Sequence, residues 1–204
     1  DVFDGVLAYF PTTVFFGVDG NNERIRAELV SGTYFDVLGL GPALGRVFAR
    51  TDDVTPGGHP VVVLSHSFWQ RRFGADPAIV GKTVRINASS MQVMGVAPAG
   101  FRGLEVGQEP LVFVPLAMKR AVTPTWDGLD SRRSMWLTAV ARLKPGISAE
   151  QARVRANVLY RQILAEEVKL MTRNSESFRQ RFVKKDLALP PGGSGASPLR
   201  EQTE

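Results

Sequence analysis

PVVVLSHSFWQRRFGADPAIVGKTVRINASSMQVMGV, residues 60–96, is the stretch around which the rest of the chain is organised. Val61–Leu64 is a run of four large aliphatics, the pattern of a strand covered on both faces. Ser65 stands where an N-cap stands, its hydroxyl placed to accept a backbone N–H from a first helical turn. Phe68, Trp69, Arg72 and Phe73 follow at helical spacing, with Gln70, Arg71 and Arg72 supplying a polar side. Gly74 suits a left-handed exit, and Pro77 stops the helix from resuming. Gly81 marks a tight entry turn. Thr83–Asn87 and Met91–Val96 both alternate, which predicts paired strands around residues 88–90. The stretch is a β-α-β-β packing unit, and nothing in it has the look of a reaction centre.

Composition bounds the rest. The chain has 204 residues, 44% hydrophobic and 22% charged, enough for one large folded domain or two small ones. No segment approaches the ~18 unbroken apolar residues of a membrane helix. The N-terminus, DVFDGVLAYF, lacks a basic region and a cleavage site, so it does not read as a signal peptide. It begins abruptly on an apolar, helix-like pattern, as an excised piece of a longer protein does. Cysteine is absent, which excludes disulfides, thiol catalysis and Cys-ligated metals without assigning a compartment. The net charge is +5, but the arginines are scattered, with Arg71-Arg72 and Arg132-Arg133 far apart. No basic segment is interleaved with stacking aromatics, so the charge reads as solvated surface and nucleic acid is not an expected partner.

In chain order, residues 1–10 place Phe3, Val6, Leu7 and Phe10 on one face of a helix tail. Thr13–Val18 and Glu23–Ser31 form an antiparallel hairpin about the turn Asp19-Gly20-Asn21-Asn22, with Ile25, Ala27 and Leu29 inward and Arg24, Arg26 and Glu28 wet. Tyr34, Phe35, Val37 and Leu38 suit a short helix ended by Gly39. Residues 41–48 are irregular, and 51–58 are a turn-rich loop. Ala97–Glu109 is a long glycine-rich loop, and Leu111–Leu116 is a buried strand cut by Pro115. Residues 123–133 are a connector, and Met135–Leu143 alternates as a strand. Ser148 with Gln151 forms a capping box for a helix whose apolar stripe is Ala152, Ala156, Leu159, Tyr160, Ile163, Leu164 and Val168. Residues 172–186 are highly charged, and 187–197 are a Pro/Gly/Ser-rich linker.

Each candidate for chemistry has a plainer reading. Gly81-Lys82-Thr83 ends like a phosphate-binding loop, but the position five residues before Gly81 is Asp76 and a strand follows. Asp52-Asp53 reads as a solvated turn or helix cap, with no further ligand near in sequence. His59 and His66 are the two histidines and need a third ligand to hold a metal. No G-x-S-x-G occurs. Phe68, Trp69 and Phe73 have the spacing of a core-facing helix side. No catalytic, cofactor-binding or metal residues are assigned, and no enzyme activity is expected. A rival reading, a periplasmic small-molecule or lipid-binding module, places its site in the Ala97–Glu109 loop beside Trp136.

Several segments in fixed order resemble one family: VSGTYFDVLGL (30–40), GRVFARTDD (45–53), residues 60–87 of the opening stretch, VMGVAPAGFRG (93–103), VPL (114–116) and ARLKPGISAEQARVRANVL (141–159). The sequence is similar to the MacB-like periplasmic core domain of ABC transporter permeases, most of all the large duplicated permeases of acidobacterial type. The resemblance covers roughly residues 1–170. It implies an α+β fold of two lobes: a porter-like α/β lobe from both chain ends, 1–43 and 134–186, and an inserted mostly-β sabre-like lobe, 44–133. Residues 187–204 are then an extended linker toward a membrane helix. The implied place is the periplasmic side of the bacterial inner membrane. The implied partners are the permease's own membrane helices, a cytoplasmic ATPase and, in macrolide-exporter relatives, a periplasmic adaptor. The implied role is relay of ATP-driven motion for export.

Overall fold

The computed structural model describes residues 2–18, 20–131 and 134–192. Strands β1 (Phe3–Val18) and β2 (Asn21–Val30) form an antiparallel hairpin in which Tyr9 faces Val30 and Val18 faces Asn21. Residues 3–10 are therefore strand, not the helix tail that the spacing of Phe3, Val6, Leu7 and Phe10 suggests. The reason is tertiary: Tyr9 and Phe10 sit in the β2 ladder, and Ala8 N–H bonds Ser31 Oγ while Ala8 O accepts Ser31 N–H. Leu7 and Tyr9 are buried one residue apart, the period of a strand.

The next elements lie where the sequence places them. Helix α1 (Tyr34–Leu38) ends at Gly39 with φ 71°. Strand β3 (Leu44–Gly45) is a two-residue bridge in otherwise irregular chain. Strand β4 (Val61–Leu64) leads to α2 (His66–Phe73), where Ser65 Oγ accepts Phe68 N–H at 3.3 Å. Strands β5 (Thr83–Ile86) and β6 (Ser89–Val96) turn through Asn87 at φ 53°. Strand β7 (Val112–Pro115), the short helix α3 (Lys119–Val122) and β8 (Thr138–Leu143) follow. Helix α4 (Ala149–Lys169) carries the capping box of Ser148 and Gln151, and α5 (Glu176–Phe182) lies in the charged stretch where no helix is anticipated.

The strands close into a ring. β1 pairs with β2, β2 with β7 in parallel, β7 with β4, β4 with β6 in parallel, β6 with β5, and β5 again with β1. Each parallel join spans a long crossover: residues 31–111 between β2 and β7, and residues 65–88, containing α2, between β4 and β6. Closure through Phe16↔Ile86 and Gly17↔Arg85 leaves no open edge among these six strands.

Alternation then sorts side chains into two layers. Val62 and Leu64 of β4, Val112 and Val114 of β7, and Val14 and Phe16 of β1 share one cluster with Phe68 and Ile79. Val63, Phe113 and Tyr9 point the other way, into a second cluster with Tyr34, Phe35 and Phe48. Both clusters consist of residues buried almost completely; β4 and β7 are covered on both faces, as the unbroken aliphatic run of β4 predicts, whereas β5 alternates buried Val84 and Ile86 with exposed Thr83 and Arg85.

The chain forms two compact units. One is residues 6–140, which contains the ring; the described part of the other is residues 2–5 with 141–192. In the latter, Lys144 N–H bonds Val2 O at 3.1 Å. Asn157 on α4 clasps Leu187 through both amide atoms, and Arg161 pairs with Asp186 at 2.7 Å. The buried face of α4 is Ala152, Asn157, Leu164 and Glu167, whereas Leu159 and Ile163 of the expected stripe are 59% and 47% exposed. Ala152 and Leu164 of that stripe are buried and Ala156, Tyr160 and Val168 half-buried, so the covered face runs along one side of the stripe and takes in Asn157 with its clasp. Of the 187–204 linker, residues 187–192 carry no regular structure and the remainder lies outside the described residues.

One glycine is demanded by close approach. A Cβ on Gly95 of β6 collides with the backbone of Leu44 and Arg46, which crosses it as β3. Gly95→Ala is expected to destabilise the protein by on the order of 2 kcal/mol or more, while Gly41→Ala, with open space, changes stability by less than ~0.5 kcal/mol. Urea unfolding of both variants checks this, and equal midpoints would refute it.

Candidate functional site

The strand pattern of β2 expects Glu28 on a wet face. The structure buries it instead, at 2% exposure. Ile25, Ala27 and Leu29 fill the inner cluster, so Glu28 faces outward with Val30. That outward face is covered by α1 and by the loop between β6 and β7, neither of which a single-strand pattern reveals. Tyr34 of α1 donates its hydroxyl to Glu28 Oε2 at 2.7 Å. The Tyr34 ring lies among Tyr9, Phe35, Phe101 and Phe113, with centroids 5.3–6.4 Å away.

The loop after β6 closes over this carboxyl. Phe101 stacks on Phe113 at 5.7 Å and an interplanar angle of 23°. Gly103 takes φ 83° and runs so near Pro110 that a side chain there has no room; its Cβ position is 3.9 Å from Glu28 Oε2. Arg26 reaches the Gly107 carbonyl at 3.4 Å, and Leu111 N–H bonds Arg26 O at 2.9 Å. Between loop and hairpin is a half-open cavity of about 270 Å³, with Glu28 and Arg26 of β2 on one side and Glu105, Gln108 and Pro110 of the loop on the other.

Electrostatics single out Glu28. Burial pushes its carboxyl up to about 7, the Glu105 charge pushes in the same direction, and the Tyr34 hydrogen bond opposes both. Tyr34 is itself held far above the usual phenol range, first by burial and then by the Glu28 charge. The pair is thus a proton-holding site near neutrality, facing a cavity.

Trp136, expected beside this loop, does not line the cavity. It packs with Phe10 and Trp126 around the Lys119 ammonium, which lies 5.2, 4.1 and 4.9 Å from the Phe10, Trp126 and Trp136 ring centres. Lys119 is fully buried and donates to Thr123 Oγ1 and to Trp126 O, the latter at 2.9 Å. Burial lowers its affinity for the proton and Asp127 partly restores it. No pattern of aliphatic spacing signals this box, because its walls come from three separated segments.

The remaining candidates are structural. Asp53 accepts Gly32 N–H at 3.1 Å and Ala117 N–H at 2.6 Å, tying three segments together, with its carboxyl raised by burial. Asp52 accepts Arg46 through both oxygens and caps Ala49 N–H, and the Arg46 bonds hold it below the usual range. His59 Nε2 accepts Val54 and Thr55 N–H, and His66 packs against Trp69. Gly81-Lys82-Thr83 turns into β5, with Gly81 at φ 88°. Phe68 is core against Phe16, with Phe73 beside it. Among the described residues no cluster of three His, Cys, Asp or Glu side chains is suited to a metal ion. Among them, too, no helix is long and apolar enough to cross a membrane.

Comparison with known proteins places this geometry. The family model of the MacB-like periplasmic core domain matches residues 2–158. The fold is similar to the periplasmic region of MacB from Actinobacillus actinomycetemcomitans, with TM-score 0.58 and 19% identity over 80% of this chain and 68% of that one. It is also similar to the extracellular domain of the noncanonic ABC-type transporter YknZ from Gram-positive bacteria, with TM-score 0.54 and 19% identity over 76% and 71% of the two chains. No curated protein matches the sequence. The chain belongs to the MacB-like periplasmic core domain family, the extracytoplasmic domains of ABC transporter permeases.

The Glu28 environment has a pH consequence. Its folded-state affinity for the proton is raised, so the stabilisation is complete below the ordinary carboxyl value of 4.5 and is lost as pH rises through about 7. Ionising it costs the native state on the order of 3 kcal/mol. Glu28→Gln keeps a Tyr34 acceptor and cannot ionise. Its stability relative to wild type is expected to rise by about 2–3 kcal/mol between pH 5 and pH 8. Urea unfolding at both pH values reads this, and a constant difference would show that burial does not penalise the charge.

Proposed function

We propose that this chain is the non-catalytic extracytoplasmic domain of a MacB/FtsX-like permease, coupling ATP-driven movement to export or to docking of a partner. The observation that carries the reading is the family match over residues 2–158. On this reading the porter-like lobe is residues 1–43 with 134–186 and the sabre-like lobe 44–133; the compact units themselves divide at 5/6 and 140/141, with β2 bonded along β7 and sharing its core. The partners on this reading are the permease's own membrane helices and a cytoplasmic ATPase, separate or fused, with a periplasmic adaptor as in macrolide-exporter relatives. A ligand-binding module is less well supported, since the cavity is half open and as polar as it is apolar.

This chain contains no cysteine, so with any cysteine elsewhere in the permease replaced, an introduced thiol is the label's one target. Val54 and Val158 are 69% and 57% exposed, one in each unit. In cells carrying the parent permease, Val54→Cys is expected to react with a membrane-impermeant maleimide without lysis; reaction only after lysis would sink the extracytoplasmic placement. With spin labels at Val54→Cys and Val158→Cys, the label separation in the permease–ATPase complex is expected to differ between ATP-bound and nucleotide-free states. An unchanged distance distribution would rule out the coupling role.

A further inference from the structure

We propose that Glu28 is a proton-controlled latch on the loop between β6 and β7: a neutral carboxyl leaves the loop closed over the outer aromatic layer, and ionisation, setting a charge against Glu105, opens it. The inference concerns the chain itself and does not rest on the transporter reading.

Geometry assigns the fixed and the movable parts. Glu28 cannot retreat, because its strand is laddered on both sides, opposite Pro11 of β1 and Phe113 of β7. Tyr34, which holds Oε2, is fully buried in α1 among four other aromatic rings. The loop, by contrast, carries no long ladder: it is tied by Arg26 Nη1 to Gly107 O, by the short turns Phe101 N–H to Pro98 O and Gln108 N–H to Glu105 O, by a bridge at Glu105 and by the exit bond from Leu111 N–H to Arg26 O. Val106 at its tip is 65% exposed. A strained buried charge is relieved at the element that opens at least cost, and that element is the loop.

The ionisable groups around Glu28 leave the charge without a dedicated cation. From β1 comes the Tyr9 phenol, from α1 the Tyr34 phenol, and from the loop the Glu105 carboxylate, which raises the cost of a second negative charge. Arg26 of β2 shares the cavity wall, with its guanidinium on the Gly107 carbonyl. Arg102 of the loop is paired with Glu109 at 2.6 Å. Opening lets water reach the carboxyl and returns it toward its ordinary acidity, so deprotonation and opening are thermodynamically linked. What opening uncovers is the stacked pair of Phe101 and Phe113 beside Tyr34.

Hydrogen exchange on the full chain tests the latch. Between pH 6 and pH 8, after correction for intrinsic exchange rates, amides of residues 101–108 are expected to lose about tenfold in protection. Amides of β4 and β7 are expected to change little. In Glu28→Gln the loop should keep the same protection at both pH values, and in Glu105→Gln the change should shrink without vanishing. Wild-type loop protection that does not move with pH overturns the proposal, as does a change that persists in Glu28→Gln. A carboxyl ¹³C titration of wild type guards against a variant that fails to fold. A Glu28 midpoint near 7 supports the latch, and one near the ordinary 4.5 overturns it.

Discussion

Ring closure at β1 is the constraint on which the larger unit depends. One strand of 16 residues must pair with β2 from Tyr9 to Val18 and also meet β5 at Phe16↔Ile86 and Gly17↔Arg85. Asn87 secures the seam from the other side: its side chain accepts Phe15 N–H at 2.9 Å, its own N–H bonds Phe15 O at 2.7 Å, and its amide donates to Val122 O at 2.8 Å. A residue at φ 53° is uncommon for a side chain other than Asn or Asp. Here the left-handed turn lets one side chain satisfy the strand edge and the end of α3 together. Without the seam, β1 and β5 present open edges, and Val14, Phe16, Val84 and Ile86 lose their enclosure.

Local cover on one end of β2 explains why a carboxyl ends up buried. The outer face of this strand is wet at Arg24 and Arg26 and covered at Glu28, where Tyr34 and the loop after β6 lie over it. Tyr34 supplies one hydrogen bond and the cavity leaves room beside it, but no lysine or arginine neutralises the charge in the way Arg46 neutralises Asp52. A buried acid with a neutral partner holds its proton; one with a guanidinium gives it up. Glu28 and Asp52 differ in both respects: burial dominates at Glu28, and the Arg46 hydrogen bonds dominate at the more open Asp52.

The two cationic and acidic features of this unit behave oppositely for the same reason. Lys119 is enclosed by three aromatic faces and two oxygen acceptors, a setting that offsets its burial through ring quadrupoles and hydrogen bonds. It staples the 123–136 segment onto β1 through Phe10, Trp126 and Trp136. Glu28 has no comparable set of donors. One is a fixed clamp, and the other is a carboxyl that burial holds protonated toward neutrality.

Local chemistry was legible in the sequence: the aliphatic run of β4, the caps at Ser65 and Ser148, the exits at Gly39 and Gly74, and the β5–β6 alternation are all decided by residues close together in the chain. So was the family, through long motifs in fixed order. Long-range pairing decided the rest. Residues 3–10 carry a helical spacing that strand pairing overrides, and Leu159 and Ile163 of the α4 stripe stay exposed while Asn157 is buried in its clasp on a residue 30 positions away. The burial of Glu28 could not be read from β2, because the groups that cover it, Tyr34 and the loop around Gly103, come from elsewhere in the chain. A strand's alternation states which residues share a face; only the fold determines whether that face meets water.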